Sequence, residues 1–175
     1  TLEAQLIDLA DEIAYNTADL DDAVDARLLD PLLARREIPF FDYCMNKIQD
    51  QYPSAPENIK FHEGLRALLD MLVSGLIRGT HQMAERSGVR NADGVRKLDS
   101  RLAHFDDEAS TTSRQLKTLL TREVYHSSFL EDTRTKNDAQ VTELFRCFMD
   151  NPVLLPVTYQ PRLEEELPHR VVCDY

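Results

Sequence analysis

At 175 residues, with 42% hydrophobic content and no tryptophan, the chain is sized for one domain with a core of its own and reads as soluble and globular. A formal net charge of −11 argues against adhesion to nucleic acid or to an anionic membrane surface, and no apolar run is long enough for a membrane span. The three cysteines, Cys44, Cys147 and Cys173, are odd in number and never spaced as CxxC, which disfavours a disulfide framework or zinc knuckle and favours reduced thiols in the cytoplasm. The first residue is Thr1, with no initiator methionine and no basic, apolar leader, so the expectation is an excised or processed piece of a longer protein.

The helical period runs almost throughout. Leu2, Leu6, Leu9 and Ile13, then Leu20, Val24 and Leu28, recur at three and four, with acidic residues between them. On this first helix Asp11, Tyr15 and Asp19 fall four apart and share one face. A solvated face has no need of a tyrosine between its acids, and a core face has no place for the acids. The combination suits a site where a cation meets a flat, hydroxyl-bearing ligand; the plain alternative is an exposed acidic face with one half-buried tyrosine.

Asp30-Pro31 and Ile38-Pro39 punctuate the next region, and a helix is expected over 40–52, stopped by Tyr52-Pro53-Ser54-Ala55-Pro56. A long amphipathic helix follows, N-capped by Asn58, with Ile59, Leu65, Leu68, Leu69, Leu72, Val73, Leu76 and Ile77 as its buried stripe. Gly75 and Gly79 inside it allow close packing. Residues 87–100, polar and interrupted by glycine, read as a mobile loop. Further helices are expected over 108–130, carrying Leu116, Leu119, Leu120, Val124 and Phe129, and over 133–149, with Val141, Leu144, Phe145 and Phe148 inward. Residues 153–156 then dock as an extended piece, and a short helix starts near Pro161. Strand signals are sparse. The expected architecture is an all-α bundle in a single helical domain over 1–175.

The string Asp8-Leu-Ala-Asp-Glu-Ile-Ala-Tyr15 followed by Asp19-Leu-Asp-Asp22, with Leu2-Glu3-Ala4-Gln5 ahead of it, resembles the last metal-binding helix of the deoxyguanosinetriphosphate triphosphohydrolases, the HD-domain dNTPases. Leu119-Leu-Thr-Arg-Glu-Val-Tyr-His126, Leu144-Phe145 and Asn151-Pro152-x-Leu-Leu-Pro156 are similar to later segments of that family. One departure is Ala18, where many members carry histidine.

The resemblance implies an HD-domain fold and a hydrolase that converts dGTP and water to deoxyguanosine and triphosphate. Asp11 becomes a ligand of a divalent metal, magnesium, manganese or another transition ion, that activates water and polarises the α-phosphate. Tyr15 packs on the deoxyribose and crowds the place of a 2′-hydroxyl, and Asp19 accepts from the 3′-hydroxyl. A hard cation wants carboxylate oxygen, and a site built for a hydroxyl rejects analogues lacking it. Arg122 and His126, one turn apart, are candidate phosphate contacts, against the alternative of a salt-bridged helix face. The resemblance further implies a homo-oligomer, often a hexamer.

That family's metal site also needs a histidine and a His-Asp dyad, whereas the five histidines here precede Glu63, Gln82, Phe105, Ser127 and Arg170. With one ligand of four, the chain alone is expected to be inactive. Two other readings stand beside the first: a helical oligomerisation or regulatory module without catalysis, and an HD-type hydrolase of another phosphate ester.

Overall fold

The computed structural model describes residues 1–175 and contains helices and turns without a single strand, so the all-α expectation holds. Where one domain was expected over 1–175, the fold comprises two compact units, Thr1–Ser127 and Ser128–Tyr175.

The first unit opens with α1, Leu2–Asp25, capped by the Thr1 hydroxyl, which accepts from the Ala4 amide at 3.3 Å. It ends in a Schellman arrangement: the Leu28 amide reaches Ala23 O and the Arg27 amide reaches Val24 O. Arg27 occupies the left-handed position with φ 58°, a place usually taken by glycine. The two prolines that punctuate the next stretch both begin helices: α2 is Pro31–Glu37, capped by Asp30, and α3 is Pro39–Gln51. A proline at the first helical position lacks only an N–H that would be unpaired there anyway.

The central element is α4, Glu57–Ser87, about 46 Å long at 1.5 Å per residue, against which α1, α3 and α6 pack. Its start corrects the expected cap: the helix follows Pro56 with no side-chain cap, and Asn58 lies inside the first turn. Its buried face also differs from the expected stripe. Phe61, Leu65, Leu68, Met71, Leu72 and Leu76 are buried, while Ile59, Leu69, Val73 and Ile77 are exposed. At about 100° per residue Ile59, Leu69, Val73 and Ile77 lie roughly 100–180° round the helix from Leu68, at or beyond the edge of the contact face. Gly64, Gly75 and Gly79, which carry no hydrophobic signal, lie within roughly 40° of Leu68 near the centre of the buried arc.

Those glycines let other elements come close, as the sequence suggests for two of them. A Cβ on Gly75 would lie 2.2 Å from Ala109 Cβ, and one on Gly79 would lie 2.3 Å from the His104 carbonyl oxygen. The 104–106 strap therefore crosses directly over α4, held by Asp106 N to Gly75 O at 3.1 Å and His104 N to the Thr80 hydroxyl at 3.1 Å. The expected 87–100 loop contains a short helix, α5, Ala92–Arg96, capped by Asn91.

Helix α6, Asp107–Leu120, starts at Asp106, whose carboxylate accepts from Ala109 N at 2.9 Å and also pairs with Arg78 at 2.7 Å. The expected helix over 108–130 does not run through. It passes into a π-turn, Thr121–Tyr125, and stops at His126. Leu116, Leu120 and Val124 keep their apolar spacing across the change, so the pattern conceals it.

The second unit begins with α7, Ser128–Asp150, followed by a 3₁₀ turn at Pro152–Leu154, then α8, Arg162–Glu165, and α9, Pro168–Asp174. Its core is Leu155, Val171 and Val172, with Phe145, Phe148, Met149, Tyr159 and Leu163 packed around it. Only the last turns of α7 meet that core, so Phe145 and Phe148 face inward as expected but Val141 and Leu144 are exposed. Phe129, expected to belong to the preceding helix, is an exposed residue of α7. Of 153–156, Leu155 alone is buried, because the 3₁₀ turn carries Val153 and Leu154 outward.

Candidate functional site

Helix α1 buries Ile13, Asn16, Thr17, Leu20 and Ala23 and half-buries Glu12, Asp19 and Asp21. Buried Thr17 turns its hydroxyl onto Ile13 O at 2.8 Å. Several acids on the outer face are tied down. Asp8 pairs with Arg101 at 3.0 Å and Glu12 with Lys117 at 3.0 Å. Asp21 Oδ1 lies 3.3 Å from His62 Nε2 but off line for a hydrogen bond, and is a buried atom without one. Asp11 and Tyr15 remain exposed, Tyr15 by 63%.

Asp11 and Asp19, two turns apart on the helix, are separated by about 12 Å along its axis. Asp19 is half-buried, and its Oδ2 accepts a hydrogen bond from the Tyr125 hydroxyl. Burial first, and then the hydrogen bond and the negative charge of Asp19, push the Tyr125 phenol up to about 12. Local spacing does not single out Tyr125, which lies 106 residues from Asp19; only its place beside Arg122 and His126 in the second motif marks it.

The same two links, Glu12 to Lys117 and Asp19 to Tyr125, lay α1 along α6 and the π-turn. At the α1 end near residue 5, the Gln5 side-chain oxygen accepts from both Leu102 N at 2.8 Å and Ala103 N at 3.2 Å. The register of α1 is thereby fixed at three points, and Gln5 is a second residue whose role spacing did not reveal.

Arg114, Lys117, Thr118, Thr121 and Arg122 line an open cleft of about 420 Å³ on α6 and the π-turn. In a chain of net charge −11 this local basic group is a departure; Lys117 is already paired with Glu12 and Arg122 with Glu123 and Glu37, which leaves Arg114 as its cation without a carboxylate partner. A larger cleft of about 760 Å³ beside Phe40 and Tyr43 carries Asp107 and Glu108, charges that repel phosphate.

Arg122 and His126 were expected to stack one α-helical turn apart. The π-turn, with its i→i+5 bonding, takes them out of that register. Arg122 meets Glu123 at 2.6 Å and Glu37 at 3.5 Å, and its already high pKa is raised further, chiefly by the bond to Glu123. His126 ends the turn on an exposed stretch.

No group of three His, Cys, Asp or Glu side chains converges anywhere in the chain. No helix is long and apolar enough to cross a membrane.

Residues 103–175 match the phosphohydrolase-associated domain, a module of HD-domain enzymes, which with the all-helical fold defines the class: a chain related to HD-domain phosphohydrolases. Curated relatives narrow this. A deoxyguanosinetriphosphate triphosphohydrolase-like protein of Geobacter sulfurreducens is 31% identical over 175 residues, covering all of this chain and 45% of the relative. Proteins of the same description from Leptospira interrogans and Rhizobium meliloti are 32% and 35% identical, over 100% and 91% of this chain and 46% and 39% of their own lengths. The chain is similar over its whole length to deoxyguanosinetriphosphate triphosphohydrolase-like proteins, and it spans somewhat under half the length of those it matches.

Proposed function

We propose that this chain carries the sugar- and phosphate-recognition side of a metal-dependent dNTP triphosphohydrolase, with dGTP as substrate and deoxyguanosine and triphosphate as products. The observation that carries the reading is the alignment of α1 on α6. It joins Glu12 to Lys117 of the basic cleft and Asp19 to Tyr125 of the π-turn, on the helix whose exposed surface carries Asp11 and Tyr15. Names carried by the curated relatives support the choice of nucleotide.

In this reading the Tyr15 ring is the wall against the deoxyribose, leaving no room for a 2′-hydroxyl. Asp19 takes the 3′-hydroxyl, and leaving that carboxylate unpaired penalises sugars without one. The cleft from Arg114 to Arg122 receives the triphosphate, with His126 after the π-turn as a second phosphate contact; the Arg122 fork exchanges its exposed Glu123 partner for phosphate oxygens. Asp11 contributes one oxygen ligand to a divalent metal whose other ligands come from outside residues 1–175, so these residues alone turn over no nucleotide. The complete protein is proposed to be a cytoplasmic homo-oligomer.

The test is a screen of the complete polypeptide, with magnesium or manganese, against the four dNTPs, GTP and a phosphomonoester, measuring released triphosphate. Triphosphate from a dNTP, lost in Asp11→Ala, supports the assignment. Phosphate from the monoester alone would replace it with another hydrolase, and no turnover would leave the non-catalytic module.

A further inference from the structure

We infer that Tyr125 is a positioning residue, whose hydroxyl fixes the Asp19 carboxylate so that its free oxygen meets a sugar 3′-hydroxyl in a single orientation. The inference rests on the proposed role of Asp19 and adds to it the residue that makes the role selective.

An aspartate carboxylate turns about a broad, nearly two-fold torsion, so one that must recognise a hydroxyl benefits from being held. Asp19 has no arginine or lysine partner; it accepts from Tyr125 on Oδ2, and Oδ1 is the oxygen left for a ligand. Tyr125 itself is firmly placed. Its ring is half-buried next to buried Val124 and Leu120, at the end of a π-turn.

The π-turn supplies the geometry. An α-helix continued from Leu120 would swing residue 125 well away from the face of Leu120. Bonding at i→i+5 brings residue 125 round beneath residue 120, on the side that meets α1. Single π-turns of this kind disrupt the helix ladder and recur at functional sites, and here the slip delivers one hydroxyl to one carboxylate. With its proton held above the ordinary phenol range, Tyr125 is a donor at neutral pH. Orienting the acceptor beforehand removes an ordering cost that the ligand would otherwise meet on binding.

The experiment compares the complete protein with its Tyr125→Phe, Asp19→Asn and double variants, on dGTP and on 2′,3′-dideoxyguanosine triphosphate. Tyr125→Phe is expected to lower kcat/KM for dGTP about 10-fold, the order of one hydrogen bond to a charged group, while leaving the dideoxy substrate within about 2-fold. Adding it to Asp19→Asn should then change nothing further, because the two act as one unit. A purely structural tyrosine would depress both substrates together, and that parallel loss overturns the inference. So does an unchanged 3′-hydroxyl preference in Tyr125→Phe alongside a lost one in Asp19→Asn. If Asp19→Asn itself keeps the preference, or no dNTP is hydrolysed, the underlying assignment of Asp19 fails instead and the inference falls with it. Should Tyr125→Phe not fold, ultraviolet titration decides through Asp19→Asn: the high-titrating tyrosine must move down by the part that Asp19 contributes, burial holding the rest, and an unmoved titration refutes the link.

Discussion

Replacing Gly79 by alanine tests the packing that positions α1. The new Cβ would meet the His104 oxygen at 2.3 Å, the Phe105 carbonyl carbon at 2.4 Å and the Asp106 nitrogen at 2.5 Å, all backbone atoms that cannot rotate away. Overpacking of this kind costs up to about 3 kcal/mol, and alanine returns about 1 kcal/mol through its better helix propensity. The expected net loss is thus about 2 kcal/mol. Displacing the 104–106 strap also strains the neighbouring Leu102 and Ala103 amides that hold Gln5, so α1 should loosen with it. Gly88→Ala is the control: it has open space but a φ of +66°, and should cost only about 1 kcal/mol for the left-handed backbone. Urea unfolding followed by far-ultraviolet circular dichroism should place the Gly79→Ala midpoint about 1 M below wild type, for a slope near 2 kcal/mol per M. A Gly79→Ala protein as stable as Gly88→Ala would refute the close-approach argument.

Other consequences are equally open to measurement. Gln5→Ala removes the acceptor of two amides and should cost about 2 kcal/mol in urea unfolding, whereas Gln5→Glu, which keeps an acceptor oxygen, should cost less. Lys60 is buried, with its ammonium on Gln49 Oε1 at 2.6 Å, Pro53 O at 3.2 Å and Glu57 Oε1 at 2.8 Å; Lys60→Ala should cost about 2 kcal/mol and raise hydrogen exchange around residues 52–56. Arg27→Gly relieves the left-handed φ and should raise the urea midpoint, by an energy on the order of 0.5 kcal/mol after glycine's own entropy cost. Because the folded Tyr125 phenol titrates at about 12 against about 10 unfolded, the protonated form stabilises the fold; that contribution is complete below pH 10 and is lost as pH rises toward 12, a slope that Tyr125→Phe should remove.

Legibility varied with the physics of each element. The all-α fold could be read because periodicity, capping residues and prolines agree from Leu2 to Tyr52, and the Pro53–Pro56 break is likewise where the residues suggest. Hydrophobicity alone misplaced the contact arc of α4, since Gly64, Gly75 and Gly79 bury backbone and score nothing. The π-turn was invisible because Leu116, Leu120 and Val124 satisfy the α-helical spacing on both sides of it. In the second unit, Val141 and Leu144 are apolar at helical spacing yet exposed, as a small core engages only the end of α7. For the candidate site, local spacing put Asp11, Tyr15 and Asp19 on one helix. The partners that give Asp19 a direction and Glu12 an anchor, Tyr125 and Lys117, come from 106 and 105 residues away.

The most direct test of the central claim is triphosphate release by the complete protein supplied with dGTP or GTP, in wild type and Tyr15→Ala. The account predicts that wild type cleaves dGTP in strong preference to GTP and that removing the ring narrows the preference. Release of triphosphate with the dGTP-to-GTP ratio unmoved by Tyr15→Ala would contradict the sugar-wall role, and no release from any dNTP would contradict the function itself.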